Sequence, residues 1–239
     1  MNENTQNKEN AMLVVDQHRV ASPEDIEALG KDALIGKCPK CGEFINNLWN
    51  EKYCGDCGQK LKWKEERKIP LGLKVGDTFN LAGTNWTILD IKEEGYFCLA
   101  DSIGDKQFDA ASNNWTTSAL REYLNTEFAE KISDEIGEEN IIKFDRDLMS
   151  LDGQTEYGTC EDLVSLLTVD EYRKYRQFIP NTDDWWWLAS PWSTPCNNDE
   201  TWEAVVSPPG SFGYVVVCYC CVGVRPVCIF SSAIFESEE

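Results

Sequence analysis

Residues 185–191 read Trp-Trp-Trp-Leu-Ala-Ser-Pro, and residues 223–227 read Gly-Val-Arg-Pro-Val. Between Ala204 and Phe235 the chain has one charged side chain, Arg225, although acidic residues are frequent elsewhere. The solvated face of a strand normally carries charged or hydroxyl side chains. An uncharged stretch of this length is therefore buried, paired with a partner, or kept for a ligand. We expect the two runs to be rigid and the rest of the chain to present the segment between them.

Charge is distributed unevenly along the 239 residues. Residues 1–70 carry 11 basic and 12 acidic side chains, whereas residues 71–239 carry 11 basic and 30 acidic ones, a net charge of −19. Such a surface repels nucleic-acid phosphates and anionic membranes, so non-specific binding to either is not expected. No apolar run is long enough to span a bilayer, which predicts no membrane insertion.

The cysteines and the single histidine limit the chemistry further. Eleven cysteines without a signal peptide indicate a reducing compartment, where paired cysteines are metal ligands before they are disulfides. We expect a cytoplasmic or virion-associated protein that no signal peptide directs to secretion. His18 lies near the polar N-terminal segment, so a histidine base in the larger domain is not expected.

Two Cys-x-x-Cys turns, with twelve residues between them, predict a small metal-binding domain over residues 36–66. Each turn places two thiolates together and is followed by a glycine that can adopt the left-handed conformation. Four sulfurs close a tetrahedral shell, which predicts one structural zinc ion; four unpaired thiols are the alternative. The predicted ligands are Cys38, Cys41, Cys54 and Cys57. The arrangement resembles the zinc ribbons found near the N-termini of phage and bacterial proteins.

The segments on either side of the ribbon are less informative. Residues 1–35 are expected to form a tail with one short helix, capped by Ser22 with Pro23 at its first position and ended by Gly30. The basic residues after the ribbon, including Lys60 and Lys62, form either a solvated linker or a nucleic-acid contact, and the linker is the preferred interpretation.

Residues 70–235 have the pattern of an α+β domain. Residues 86–91 and 96–100 predict a hairpin joined across residues 93–95. A helix capped by Thr116 or Thr117 follows, and then a short buried strand over residues 163–167. Thr168 and Glu171 predict a capping box for a second helix.

Five segments of this domain together resemble a phage and bacterial family of domains with a C-type-lectin-like fold. They are Trp86–Asp90, Leu120–Asn125, Leu166–Glu171, Trp186–Pro191 and Gly223–Pro226. The family frame is a Trp-Leu-Arg-Ser-Pro block followed by a Gly-Val-Arg-Pro block. Ala189 stands where the family has its first arginine, so any contact made by that arginine is absent or replaced here.

The resemblance implies a binding protein rather than an enzyme, because many relatives are variable proteins of diversity-generating retroelements. In those systems adenine-directed mutagenesis rewrites codons between the two blocks, and the domain displays the result to a protein or cell-surface ligand. Randomised AAC codons never encode Lys, Glu, Gln, Met or Trp, and none of these occurs between Ala204 and Val222. A hydrophobic strand that happens to contain several cysteines is the alternative.

The predicted ligand-binding residues lie on the last strand and on the loop before it. Starting from Tyr214, a continuous strand would place Tyr214, Val216, Cys218 and Cys220 on one face and Val215, Val217, Tyr219 and Cys221 on the other. Both faces are apolar, so the sequence leaves open which is exposed. The full predicted set is Trp192, Cys196, Asn197, Asn198, Trp202, Tyr214, Val216, Cys218, Tyr219, Cys220 and Cys221.

Two other functions are compatible with the same fold. Formylglycine-generating oxidases use a cysteine pair, but here no basic residue lies near Cys218 and Cys220 in sequence to lower a thiol pKa. A calcium-dependent lectin would need oxygen ligands such as Asn197 and Asp199, but the sugar-binding signatures Glu-Pro-Asn and Trp-Asn-Asp are missing. Both remain alternatives to the binding module.

Overall fold

The computed structural model describes residues 12–19, 27–29, 33–47, 53–63, 69 and 72–235. The chain divides into two units, Met1–Glu66 and Arg67–Glu239. Each unit has its own hydrophobic core, and each is described separately below.

The first unit is built from short strands around the four predicted metal ligands. An antiparallel sheet has the order β2-β3-β4, and β1 pairs in parallel with β5. The strands are β1 (Met12–Leu13), β2 (Val15–Arg19), β3 (Leu34–Lys37), β4 (Phe44–Asn46) and β5 (Leu61–Lys62).

Chain segments before residue 36 belong to this first unit. β1 and β2 pair with strands on either side of the cysteine turns, so this part of the predicted tail is β structure. Residues 27–29 are helical, while the predicted cap at Ser22 and Pro23 and the predicted helix end at Gly30 lie outside the described residues. The polar segment 1–10 and the basic residues Lys64, Arg67 and Lys68 also lie outside them.

The second unit is a mixed fold of mostly antiparallel sheets with few helices. Its main sheet has the order β12-β16-β8-β7-β6, with β9 also paired to β16, and a second sheet has the order β13-β14-β15. The strands are β6 (Thr78–Leu81), β7 (Thr84–Ile91), β8 (Tyr96–Ala100), β9 (Ile141–Ile142), β10 (Phe144–Asp147), β11 (Thr159–Asp162), β12 (Val164–Leu166), β13 (Trp186–Pro191), β14 (Trp202–Val206), β15 (Phe212–Val216) and β16 (Pro226–Phe230).

The first two helices of the second unit pack an apolar side against the main core, and the third packs against a second buried cluster. A π-helical segment, Leu124–Phe128, joins the first two helices into one continuous helix. Leu120, Leu124, Phe128 and Ile132 are buried along it. The α-helices are α1 (Ala119–Tyr123), α2 (Ala129–Ile136) and α3 (Val169–Tyr175).

Three local predictions can be compared with the second unit. The hairpin is confirmed, since β7 pairs antiparallel with β8. The capping box is confirmed, because Thr168 Oγ1 accepts from the Glu171 amide at 3.2 Å and Glu171 accepts from the Thr168 amide at 2.9 Å. The cap predicted at Thr116 or Thr117 is wrong: both lie in a 3-10 turn, and Ser118 Oγ accepts from the Arg121 amide at 3.1 Å.

The side chains predicted to form the frame are all buried. Trp187 and Trp186 project from opposite faces of β13, because Trp187 packs in the main core and Trp186 packs in a second cluster with Tyr172. No helix among the described residues is long and apolar enough to cross a bilayer. The buried frame residues are Leu120, Leu124, Leu166, Trp187, Leu188, Val224 and Val227.

Candidate functional site

The four predicted metal ligands converge in the first unit. Their sulfur atoms all lie within 4.8 Å of one another, and the Cys38–Cys57 and Cys41–Cys54 sulfur pairs are each 3.6 Å apart. Gly42 and Gly58, which close the two turns, have φ values of 76° and 66°, a conformation that favours glycine. The four cysteines could therefore hold one metal ion.

Electrostatics within this cluster favour a bound cation. Burial raises the pKa of Cys38, but backbone N–H groups of Cys41 and Lys40 outweigh it and lower the pKa to about 7. At Cys41 the Glu43 backbone lowers the pKa, whereas burial and the neighbouring thiols raise it to about 12. The four thiols cannot all ionise together unless a positive charge compensates them.

In the second unit, the two runs at residues 185–191 and 223–227 hydrogen-bond to each other. The Trp187 amide donates to the Gly223 carbonyl at 3.1 Å, and the Gly223 amide donates to the Trp185 carbonyl at 2.7 Å. A side chain at position 223 would meet the Trp185 carbonyl at 3.2 Å and Ser102 Oγ at 3.3 Å, so glycine suits this approach. The 35 residues from 188 to 222 thus leave and return at one point of the core; we call this closure the clamp.

Arg225 and Ala189 are part of the buried frame beside the clamp. Arg225 donates to the carbonyls of Ala100 at 3.1 Å and Pro180 at 3.3 Å, and its guanidinium lies 5.1 Å from the Trp186 ring centroid. Burial lowers its pKa to about 10, which still leaves it charged at neutral pH. Ala189 is fully buried in the main core.

The strand that carries Tyr214 ends earlier than the sequence predicts. β15 stops at Val216, which pairs with Trp202, the first residue of β14. Val217 is buried and its amide donates to the Thr201 carbonyl at 2.9 Å, and a turn follows. The predicted alternation of faces beyond Val216 is therefore wrong. The four residues that follow Val217 are all exposed: Cys218, Tyr219, Cys220 and Cys221.

Within β15 the exposed face is the one that carries Tyr214. Its ring centroid lies 4.5 Å from that of Trp192 and 5.3 Å from that of Trp202, whose plane is nearly perpendicular to it at 85°. Trp202 and Tyr214 are 38 % and 52 % exposed, while Val215 on the opposite face packs against the main core. Three predicted ligand-binding aromatic residues thus form one surface cluster.

The loop before β14 brings Cys196, Asn197 and Asn198 to the surface. Residues Pro195–Asn197 form a 3-10 turn, and all three predicted residues are exposed. The side-chain Nδ2 of Asn197 donates to Asp152 Oδ2 at 2.8 Å, which anchors the loop. The 3-10 turn begins at Pro195, three residues after Trp192 in the chain.

Asn113 and Glu203 are site residues that the sequence did not indicate. Asn113 is buried, and its Nδ2 donates to the Ser193 carbonyl at 2.9 Å and the Trp202 carbonyl at 2.8 Å, which ties the loop to β14. Glu203 is fully buried, and neither of its carboxyl oxygens has a hydrogen-bond partner among the described residues. Burial raises its pKa well above the usual range. An asparagine in a loop and an acid in an apolar strand carry no distinguishing pattern.

The turn after β15 presents a pair of adjacent thiols. The Cys220 and Cys221 sulfurs lie 3.6 Å apart, and both side chains are exposed. The neighbouring Cys220 thiol and, more weakly, Asp105 raise the pKa of Cys221. We call the surface formed by Trp192, Trp202, Tyr214 and residues 218–221 the display face.

No family model, no curated protein and no solved structure matches this chain.

Proposed function

We propose that the second unit is a ligand-binding module with a C-type-lectin-like fold, of the kind displayed by variable proteins of diversity-generating retroelements. Its ligand is a protein or a cell-surface component that contacts the display face. The observation that carries the proposal is the clamp: Trp187 and Gly223 hold the ends of a long excursion together inside the core.

The clamp separates the residues that stabilise the domain from those that face solvent. Trp187, Leu188 and Val224 at its two ends are fully buried, whereas the turn 218–221 is exposed throughout. A change in the turn therefore removes little packing, and a change at the clamp removes much. This division is what a domain needs if its surface residues are to be replaced repeatedly without loss of the fold.

The exposed residues also suit recognition rather than catalysis. Tyr and Trp offer large, rigid contact areas with few rotatable bonds, as in antibody loops. A catalytic cysteine needs a lowered pKa, whereas the pKa of Cys221 is raised by its neighbours and that of Cys196 by its hydrogen bond to Glu156. These directions support the binding module over an oxidase.

For the first unit we propose a structural zinc ion held by the four cysteines. Zinc prefers four thiolates in a tetrahedral shell, and a shell with no open position serves folding rather than catalysis. The described core of this unit consists of one cluster of Val14, Cys38, Ile45, Cys54 and Leu61 and a second of Ala33 and Ile35, which together are too small to fold alone. The metal would supply the missing stability.

A library experiment tests the proposed binding function. Codons for Tyr214 and for residues 218–221 are randomised in the full-length protein, and folding is measured for unselected clones by thermal melting. We expect most clones to melt within a few degrees of the parent, since surface changes typically alter stability by about ±0.5 kcal/mol. Selection against an arbitrary protein target should then enrich binders.

A matched library at buried positions provides the control. Randomising Leu188, Val217 and Val224 should abolish folding in most clones, because all three are buried in the core. If both libraries unfold the domain equally often, the display face is part of the core and the proposal fails. A near-repeat of the coding sequence beside a reverse-transcriptase gene would establish diversification itself.

A further inference from the structure

The charged side chains next to the display face are predominantly acidic. From Gln177 to Phe235 the chain has one basic residue, Arg225, and it is buried. Glu200 is exposed, and the Thr201 carbonyl that follows it accepts from the amide of Val217, at the start of the turn. Asp105 is exposed at the other end, where it pairs with Gly223 in an isolated bridge.

Lys106, whose backbone is hydrogen-bonded to Val222 just after the turn, already has an aromatic partner. The Lys106 amide donates to the Val222 carbonyl at 3.1 Å, and its ammonium lies 3.9 Å from the centroid of the Tyr123 ring. Its positive charge therefore lies over an aromatic ring. The exposed carboxylates of Glu200 and Asp105 give the display face a negative potential.

An unpaired acceptor lies in the same loop. Asp199 Oδ1 is buried and has no hydrogen-bond partner within the described part of the chain. A buried acceptor of this kind is stabilised when a ligand brings a donor, especially a charged one. Asp199 immediately precedes Glu200, so the unpaired oxygen and the exposed carboxylate belong to one stretch of the loop.

The aromatic cluster provides the complementary apolar contact. Trp202 and Tyr214 meet edge to face, so their two exposed ring surfaces form a corner rather than a flat plate. A lysine or arginine side chain can lay its alkyl stem along one ring and place its charge over the face of the other. A neutral or acidic partner would leave the surrounding carboxylates without compensation.

We infer that the display face binds a basic segment of a partner protein, with lysine or arginine side chains in the Trp202–Tyr214 corner and their charges beside Asp199, Glu200 and Asp105. This inference rests on the proposed binding function and adds the chemical class of the partner. The acidic surroundings select the charge of the ligand, and the aromatic and thiol side chains select its shape.

Peptide titration of the full-length protein tests the inference. Three labelled peptides of equal length are used, with serine alternating with lysine, with glutamate or with glycine, and binding is measured by fluorescence anisotropy at low and high salt. We expect the lysine peptide to bind best and its affinity to fall as salt rises. Tyr214→Ala should weaken it roughly 3- to 10-fold through loss of the cation–π contact.

Charge variants separate a local contact from the general acidity of the protein. Asp199→Asn with Glu200→Gln should lower the affinity for the lysine peptide about fivefold, because it removes the charges of the partly buried Asp199 and the exposed Glu200. Glu138→Gln with Glu139→Gln removes two exposed acids from a different element and should change it less than twofold. Equal effects of the two pairs, or no effect of Tyr214→Ala, would overturn the inference.

The remaining outcomes distinguish this inference from the proposed function. If the glutamate or glycine peptide, or a neutral oligosaccharide, binds in a Tyr214-dependent way, the basic-partner inference is wrong and the binding module stands. If none of the probes binds, the inference is likewise wrong, and the library selection decides the proposed function on its own.

Discussion

Replacing Trp187 by alanine should be among the most damaging single changes in the second unit. The side chain is fully buried, packs 5.7 Å from the Phe108 ring centroid, and donates from its indole N–H to the Lys106 carbonyl at 2.8 Å. Truncating a buried tryptophan costs about 3–5 kcal/mol from lost packing and the resulting cavity. The orphaned carbonyl adds about 1 kcal/mol if water does not reach it.

Thermal melting followed by circular dichroism measures this loss. For a unit of this size, each kcal/mol shifts the midpoint by about 2–4 °C, so a total loss of about 3–6 kcal/mol in Trp187→Ala should lower it by roughly 6–24 °C. Trp187→Phe retains most of the ring and loses the hydrogen bond, so it should fall between the alanine variant and the parent. The difference in melting midpoint between Trp187→Ala and Trp187→Phe then measures what the aromatic ring at this position contributes.

Trp202→Ala is the matched control, because it removes the same side chain from the display face. Trp202 lies on the surface cluster and contributes no core packing comparable to that of Trp187, so its loss should cost under about 1 kcal/mol. Equal destabilisation by the two substitutions would refute the division between a stabilising frame and an exposed face.

Three further changes test other parts of the molecule. Glu203→Gln should raise the free energy of unfolding at pH 7 by on the order of 1–3 kcal/mol, because burial raises the pKa of Glu203. The stability that protonated Glu203 contributes to the parent is present below the unfolded pKa of Glu203 and is lost as pH rises through its folded pKa. Urea titrations across pH should show the variant's advantage disappearing in acid, and an advantage that grows in acid would contradict the assignment. Cys38→Ser should release the metal measured by elemental analysis, whereas Cys160→Ser in the second unit should retain it; a metal content unchanged by Cys38→Ser would exclude the four-cysteine site. Arg146→Met should cost about 3–5 kcal/mol near neutral pH, since it strands the Glu171 carboxylate that accepts two of the three guanidinium hydrogen bonds. Burial alone would raise the pKa of Glu171, but Arg146 holds it below the usual range, so the difference from the parent should shrink as pH falls through the folded pKa. A difference that is constant with pH would show that lost packing, not the ion pair, accounts for it.

Local chemistry was predictable from the sequence where neighbouring residues determine it. The Thr168–Glu171 capping box and the two cysteine turns each depend on spacings of three residues, and the structure forms both. The helix cap was misplaced because Asn114 accepts from the Thr116 amide at 3.0 Å and opens a 3-10 turn first, which delays the helix to Ser118. Two competing caps within five residues cannot be ranked from sequence alone.

The end of β15 depends on a partner strand and could not be predicted from its own residues. Residues 217–221 contain no glycine or proline, and Val217 and Tyr219 are of the β-branched and aromatic types that are enriched in strands. β15 nevertheless stops at Val216, which pairs with Trp202, the first residue of β14. Beyond this pair, the Val217 amide makes one hydrogen bond to the Thr201 carbonyl, and the paired ladder ends there. The burial of Glu203 depends in the same way on the residues packed around it in three dimensions.

This early end of the ladder explains how a short segment can be both apolar and exposed. In a continuous strand, half of residues 218–221 would point into the core, and replacing them would disturb its packing. Because the chain turns after Val217, that buried valine is the last core residue, and the next four side chains all face solvent. The clamp at Gly223 then returns the backbone to the core within two residues. The four positions between Val217 and Val222 are thereby free of the constraint that packing places on every strand residue before them.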